Sequence, residues 1–209
     1  MKILYIHGLS SSGNSGTAEC LRCLLPDDTI ISPDLPIEPL EALEMLKKIV
    51  AEENIDLVIG TSMGGMFAQK LRGIHKILVN PSFHVSQSMR HKLGINRFFS
   101  ERSDGVSEYE ITHELCDKYE KIERSQFLNL PASESDNTIS LFGSEDNIVN
   151  CQTEYLQFYS RHNEFQGGHR LNEKVIRESL LPLVEQLREK LYFEDRYKSK
   201  CTLYSQIHN

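Results

Sequence analysis

The sequence predicts an α/β fold: a mostly parallel central sheet with helices on both faces and a helical insertion. Three observations lead there. Short apolar runs alternate with stretches of helical periodicity through the first half of the chain, the pattern of a parallel sheet with crossover helices. Leu57-Val58-Ile59 is continuously apolar, as a strand covered on both faces must be. A Gly-x-Ser-x-Gly turn, Gly60-Thr61-Ser62-Met63-Gly64, then joins that run to a helical pattern.

The elements follow in order. Residues 2–6 form a strand closed by His7-Gly8, and a Ser/Gly/Asn loop over 10–16 leads to a helix over 17–25 with Thr17 as its expected N-cap. Residues 29–32 are a second strand, ended by Pro33-Asp34. A helix over 38–52 carries Leu40, Leu43, Leu46, Ile49 and Val50 at helical spacing. The strand over 56–60 precedes Ser62, a helix over 64–71 follows it, and 76–80 is a fourth strand. After residues 82–137 come a strand over 138–142, a helix over 151–161 and a short strand over 163–165. The last helix, 173–191, aligns Ile176, Leu180, Leu183, Val184, Leu187 and Leu191, and Pro182 is expected to kink or split it.

The 209 residues suffice for one sizeable domain, read as 1–192, with a polar tail over 193–209. Residues 83–137 interrupt the strand–helix alternation with charged, weakly helical pieces and no clear strand. A structureless loop of that length is improbable, so they read as a helical cap insertion over one edge of the sheet. Within it, 108–123 reads as a solvated helix face. Phe83, Phe98, Phe99, Tyr109, Tyr119 and Phe127 are candidates either for a pocket lining or for a small core.

Composition narrows the function. With 39% apolar and 25% charged residues the chain is globular, and 23 Lys+Arg against 30 Asp+Glu give a net charge of −7. That balance argues against a general nucleic-acid binder, which needs a basic face. No run approaches the ~18 apolar residues of a membrane span, and the opening run is too short for a signal peptide. The odd number of scattered cysteines (Cys20, Cys23, Cys116, Cys151, Cys201) then suits reduced thiols in a cytoplasm. Cys20 and Cys23 form a C-x-x-C within a helical stretch, and no second pair completes a zinc site, so no metal site is expected.

The chemistry concentrates at strand ends. In the Gly60–Gly64 turn, a sharp bend projects the Ser62 hydroxyl at the edge of the sheet, and small flanking residues let helix and strand approach. His7-Gly8-Leu9-Ser10 has the look of an oxyanion loop. The backbone amides of Met63 and of Leu9, with Ser10 beside it, are the expected oxyanion donors. His7 reads as a loop-organising residue because it precedes the serine. A serine needs a base, and the base a carboxylate, in the chain order Ser, acid, His. Asp146, after the strand over 138–142, is the expected acid with Glu145 as runner-up; Asp117 and Asp136 follow no strand. His169, in Gln166-Gly167-Gly168-His169, is the expected base. His75, His84, His91, His113 and His162 suit surface or insertion positions.

With these residues the chain resembles the α/β-hydrolase superfamily, and within it the small bacterial YqiA-like (UPF0227) esterases. The resemblance covers roughly residues 1–192. It rests on the His7-Gly8 loop, the Gly-x-Ser-x-Gly turn, Asn80-Pro81, the Asp146 turn and the Gly167-Gly168-His169 loop. It implies a serine esterase or thioesterase acting on a small-molecule acyl ester, with no cofactor. In one departure, His169 follows Gly168 directly where the family pattern has a further residue. A peptidase or acyltransferase on the same residues, and a non-catalytic binding protein of the same fold, stay open, as does oligomerisation through the insertion. A nucleotide-binding loop is only loosely echoed by residues 11–16.

Overall fold

The structure, a computed structural model, describes residues 1–193. All but the first residue of the expected tail, and Cys201 with it, lie outside the described residues. The elements run β1 (Lys2–Ile6), α1 (Gly16–Leu24), β2 (Thr29–Ile31), α2 (Pro39–Glu52), β3 (Leu57–Thr61), α3 (Met63–Lys70) and β4 (His75–Val79). The intervening segment holds α4 (Val85–Arg90), β5 (Gly94–Arg97), β6 (Glu108–Ile111), α5 (His113–Glu123) and α6 (Ser133–Asn137). Then follow β7 (Thr138–Gly143), α7 (Gln152–Tyr155), β8 (His162–Phe165) and α8, which begins at Glu173–Val175.

Six strands form one parallel sheet in the order β2-β1-β3-β4-β7-β8. Both faces are covered, which is why β1 and β3 are apolar almost throughout. On one face Leu43, Leu46 and Phe67 of α2 and α3 pack over Leu4, Val58 and Leu78. On the other, Leu21 of α1 and Ile176, Leu180 and Val184 of α8 pack over Ile3, Ile59 and Ile77. The chain leaves β1 toward β2 on one side and returns to β3 on the other. Such a reversal opens a crevice at the strands' carboxyl ends, where sheets of this kind bind ligands.

Several expectations are corrected. The N-cap of α1 is Ser15, whose hydroxyl accepts from the Ala18 amide, and not Thr17. Leu40 is exposed, because α2 turns Pro39, Ala42, Leu43 and Leu46 inward. The helix expected over 151–161 stops at Tyr155, where the Tyr155 hydroxyl donates to the Arg161 carbonyl at 2.6 Å and the chain folds back into β8. At Pro182 the expected split takes a specific form: a π turn over Ile176–Leu180 interrupts the helix before the proline, and α-helix resumes through 181–193. Proline cannot donate to the preceding turn, and a widened turn beside it absorbs the mismatch.

The insertion is neither wholly helical nor on an edge. Glu108–Ile111 alternates exposed and buried residues and pairs antiparallel with Gly94–Arg97, so the run expected as one solvated helix splits. Thr112 caps α5 by accepting from the Leu115 amide. Leu115, Cys116, Tyr119 and Ile122 are buried, joining the core on the α2–α3 face. The edges of the sheet are β2 and β8, whereas the insertion leaves and re-enters between neighbours β4 and β7. A buried ion pair ties it down: Glu134 of α6 meets Lys76 of β4 at 2.5 Å, the two side chains being 1% and 0% exposed, and also accepts from the Gly73 amide.

Candidate active site

The elements above bring the expected residues of four strand ends together. Ser62 follows β3 with φ 54 and ψ −119, a strained conformation for a residue with a Cβ that costs on the order of 1–3 kcal/mol. The surroundings enforce it. A Cβ on Gly60 would lie 2.4 Å from the Gly64 carbonyl oxygen, and one on Gly64 would lie 2.0 Å from that of Ile6, so only glycine admits this approach of α3 to β1 and β3. The Ser62 amide donates to the Val79 carbonyl at 3.0 Å, and the Ser62 carbonyl accepts from the Gly65 and Ser82 amides.

His169 Nε2 lies 2.9 Å from Ser62 Oγ, and its Nδ1 lies 2.7 Å from Asp146 Oδ2. The carboxylate can only accept, so Nδ1 carries the proton and the Nε2 lone pair faces the serine hydroxyl. Asp146 is nearly buried, its side chain 4% exposed, and its other oxygen accepts from the Ile148 and Val149 amides. Glu145, the alternative acid, instead accepts from Gln166 at 2.6 Å on the surface. The missing residue before His169 does not prevent it from reaching Ser62.

Asn80 explains how the shortened loop is held. It follows β4 at φ 42, is buried, accepts from the Gly143 amide at 2.7 Å and donates to the Gly168 and His169 carbonyls, both at 3.1 Å. One side chain thus joins the end of β7 to the loop that carries His169. In sequence Asn80 is marked only as a polar residue that ends an apolar strand before Pro81, with nothing along the chain to show its reach to Gly143 and Gly168.

The first-strand loop is equally constrained. His7 is buried, its Nε2 accepts from the Leu35 amide at 3.2 Å, and its Nδ1 therefore carries the proton donated to the Gly8 carbonyl at 2.8 Å. Burial pushes its pKa down from 6.5 to about 4, against a smaller upward effect of the Gly8 bond, so the ring is neutral. Ser10, at φ 61, bonds through its hydroxyl to that of Tyr109 at 2.5 Å, and its carbonyl accepts from the Phe99 amide, so the insertion grips this loop.

Ser62, Met63, Gly8, Leu9 and His169 all line one cavity of about 460 Å³. Val85, Ser88, Lys92, Phe99 and Ser100 of the insertion form its outer wall. Of the six aromatic candidates only Phe99 lines it. Phe83, Tyr109 and Tyr119 are buried core residues, and Phe98 and Phe127 pack against that core. His84 pairs with Glu154 and is no part of the cavity. Among the described residues no group of three or more His, Cys, Asp or Glu side chains could hold a metal ion, and Cys20 and Cys23 are free thiols. No described helix is long and apolar enough to cross a membrane.

A family model described as "Uncharacterised protein family (UPF0227)" matches residues 2–174. The chain belongs to this family. A UPF0227 protein of Shewanella oneidensis is 26% identical over 141 residues, covering 59% of this chain and 78% of that one. Another UPF0227 relative, from Shewanella sp. strain MR-4, is 28% identical over 102 residues, and there the match spans little more than half of its length, 56%. Among solved structures, mouse alpha/beta hydrolase domain-containing protein 10 matches with a TM-score of 0.62 at 16% identity, over 91% of this chain and 90% of that one. The esterase domain of a Rhodothermus marinus protein matches with a TM-score of 0.51 at 16% identity, over 80% and 78%. This UPF0227 chain has the α/β-hydrolase fold, as its residues suggested.

Proposed function

We propose that this UPF0227 protein is a serine hydrolase that cleaves small carboxylic esters or thioesters through an acyl-enzyme intermediate. The observation that carries the proposal is the unbroken hydrogen-bond chain from Ser62 Oγ through His169 to Asp146, with the serine held at positive φ in the cavity. Ser62 Oγ attacks the acyl carbon while its proton passes to His169 Nε2. Asp146 orients the resulting imidazolium and stabilises its charge. The Leu9 and Met63 amides hold the oxyanion. His169 then gives the proton to the departing alcohol or thiol as the carbon–oxygen or carbon–sulfur bond breaks. Water attacks the acyl-enzyme, His169 takes its proton and returns it to Ser62 Oγ, and the acid is released. The reaction uses protein groups alone, and the insertion acts as a cap that shapes the acyl pocket. Reduced thiols and a cytoplasmic location belong to the same reading.

The likeness to the Rhodothermus marinus esterase domain agrees with this at the level of fold. The test is hydrolysis of a p-nitrophenyl ester chain-length series by the wild type and by Ser62→Ala, with circular dichroism confirming the fold. Turnover that vanishes in a folded Ser62→Ala protein is expected, and the chain-length optimum sizes the pocket. A folded wild type without turnover, whose Ser62 a fluorophosphonate leaves unlabelled, would overturn the proposal.

A further inference from the structure

The cavity in front of Ser62 has an unusual charge. Its lining includes two cations, Lys92 from the insertion and Arg170 next to His169, and no carboxylate. With 30 Asp+Glu in 209 residues, about three would fall among twenty-one lining positions if acids were spread evenly. Several other exposed cations are paired, Arg90 with Asp117 and Glu120, Arg97 with Glu108 and Arg177 with Glu173. The exposed cations without a carboxylate partner outside the cavity, such as Lys48 and Lys121, lie on open helix surface. Lys92 and Arg170 make no ion pair with a carboxylate among the described residues. Arg170 instead lays its guanidinium over the Phe99 ring, 5.2 Å from the centroid, so the loop carrying His169 and the insertion meet across the cavity. Hydroxyls fill much of the remaining wall, Ser11, Ser15, Ser88 and Ser100 among them.

A protein with a net charge of −7 repels anions over most of its surface. Two uncompensated positive charges in a concave wall oppose that field locally and concentrate anionic ligands there. Guanidinium presents paired donors to a carboxylate or phosphate, ammonium adds a point charge, and hydroxyls satisfy the remaining oxygens. The volume suits a small molecule. We infer that the substrate carries an anionic group, a carboxylate or phosphate, away from the scissile carbonyl, and that Lys92 and Arg170 bind it. This deepens the serine hydrolase reading and rests on it.

The experiment compares kcat/KM within two ester pairs. Mono-p-nitrophenyl glutarate against p-nitrophenyl butyrate puts the charge on the acyl side. 4-Acetoxybenzoate against its methyl ester puts it on the leaving group. Each anionic-to-neutral ratio is measured in the wild type, Lys92→Gln, Arg170→Gln and the double variant, so that intrinsic reactivity cancels between enzymes. In one of the two pairs the ratio is expected to fall about fivefold for each substitution, equivalent to about 1 kcal/mol for a solvent-accessible charge pair. In the wild type the same ratio falls as salt is raised. The pair that responds identifies the side bearing the charge. Neutral-ester turnover with ratios unmoved in the double variant overturns the anionic substrate and leaves the hydrolase standing. Absence of turnover on all four esters, with Ser62 unlabelled by a fluorophosphonate, overturns both.

Discussion

Replacing His7 by glutamine or by asparagine separates its two hydrogen bonds. The ring accepts from the Leu35 amide at Nε2 and donates to the Gly8 carbonyl from Nδ1. The Gly8 carbonyl and the Leu9 amide belong to one planar peptide unit and point in opposite directions, so whatever holds the carbonyl also aims the Leu9 N–H. An asparagine nitrogen falls near the place of Nδ1, and a glutamine oxygen near that of Nε2. His7→Asn therefore keeps the Gly8 bond and abandons the buried Leu35 amide. His7→Gln does the reverse, leaving the Gly8 carbonyl only the Ser11 amide at 3.2 Å.

Each variant strands a buried polar group or weakens its bonding, costing about 1–3 kcal/mol of stability, the full figure applying to His7→Asn. Their catalysis should diverge. Removing an oxyanion donor outright costs about 10²–10³ in kcat, so misaiming the Leu9 amide, the proposed donor, should cost about tenfold or more. The expected result, read from kcat on p-nitrophenyl butyrate and from urea unfolding, is a kcat loss of that size in His7→Gln. His7→Asn should stay within about threefold of wild type in kcat while its urea midpoint falls. Equal kcat losses in both variants, or none in either, would refute the link from His7 through the Gly8 carbonyl to the Leu9 amide.

Other perturbations test the frame around the site. Because burial holds His7 at about 4 rather than 6.5, the unfolded chain binds a proton between those values that the folded chain does not. This contribution is complete above about pH 6.5, and about 3 kcal/mol is lost as pH falls to about 4; urea midpoints measured across that window should show a loss that His7→Asn lacks. Asn80→Asp would set a carboxylate against the Gly168 and His169 carbonyls; kcat/KM for a neutral ester should fall about tenfold or more, with slower fluorophosphonate labelling of Ser62. Glu134→Gln leaves Lys76 facing a neutral partner in the core and should cost about 3–5 kcal/mol in urea unfolding, much of it recovered by Lys76→Met with Glu134→Leu. Gly64→Ala should yield no soluble protein, since its Cβ would meet the Ile6 carbonyl oxygen at 2.0 Å; Gly16→Ala, with nothing within 4 Å, should express and unfold like the wild type.

The sheet and its glycine-rich turn were legible because local chemistry restricts them. An apolar run buried on both faces allows few residue types, and a turn that carries serine at positive φ against two neighbouring chain segments requires glycines at Gly60 and Gly64. The placement of Asp146 and His169 beside Ser62 was legible for a similar reason: each follows a strand whose carboxyl end the parallel sheet brings to the end of β3. Less accessible was the split of Glu108–Glu123 into β6 and α5. Its charged residues suggested one solvated helix, although Tyr109 and Ile111 alternate with glutamates as in a strand with one buried face, and Thr112 stands where a helix cap belongs. The length of α7 depended on Tyr155 finding the Arg161 carbonyl, a tertiary contact that no periodicity encodes.

The positioning side chains mark where reading along the chain stops, and the reason is sequence separation. Asn80 works across 63 residues to Gly143 and 88 to Gly168, and His7 across 28 to Leu35. Each looks in sequence like an ordinary polar residue at the end of a strand, and acquires its role only when the parallel sheet gathers five strand ends in one place. The cavity charge follows the same logic. Lys92 and Arg170 lie 78 positions apart, on an insertion and on the loop of the proposed base, and each is unremarkable among 23 Lys+Arg. Their meaning comes from the carboxylates that are absent around them. If the hydrolase reading holds, the bond-breaking chemistry of this UPF0227 protein is written in short segments, whereas its choice of substrate is written in which charges the fold leaves unpaired.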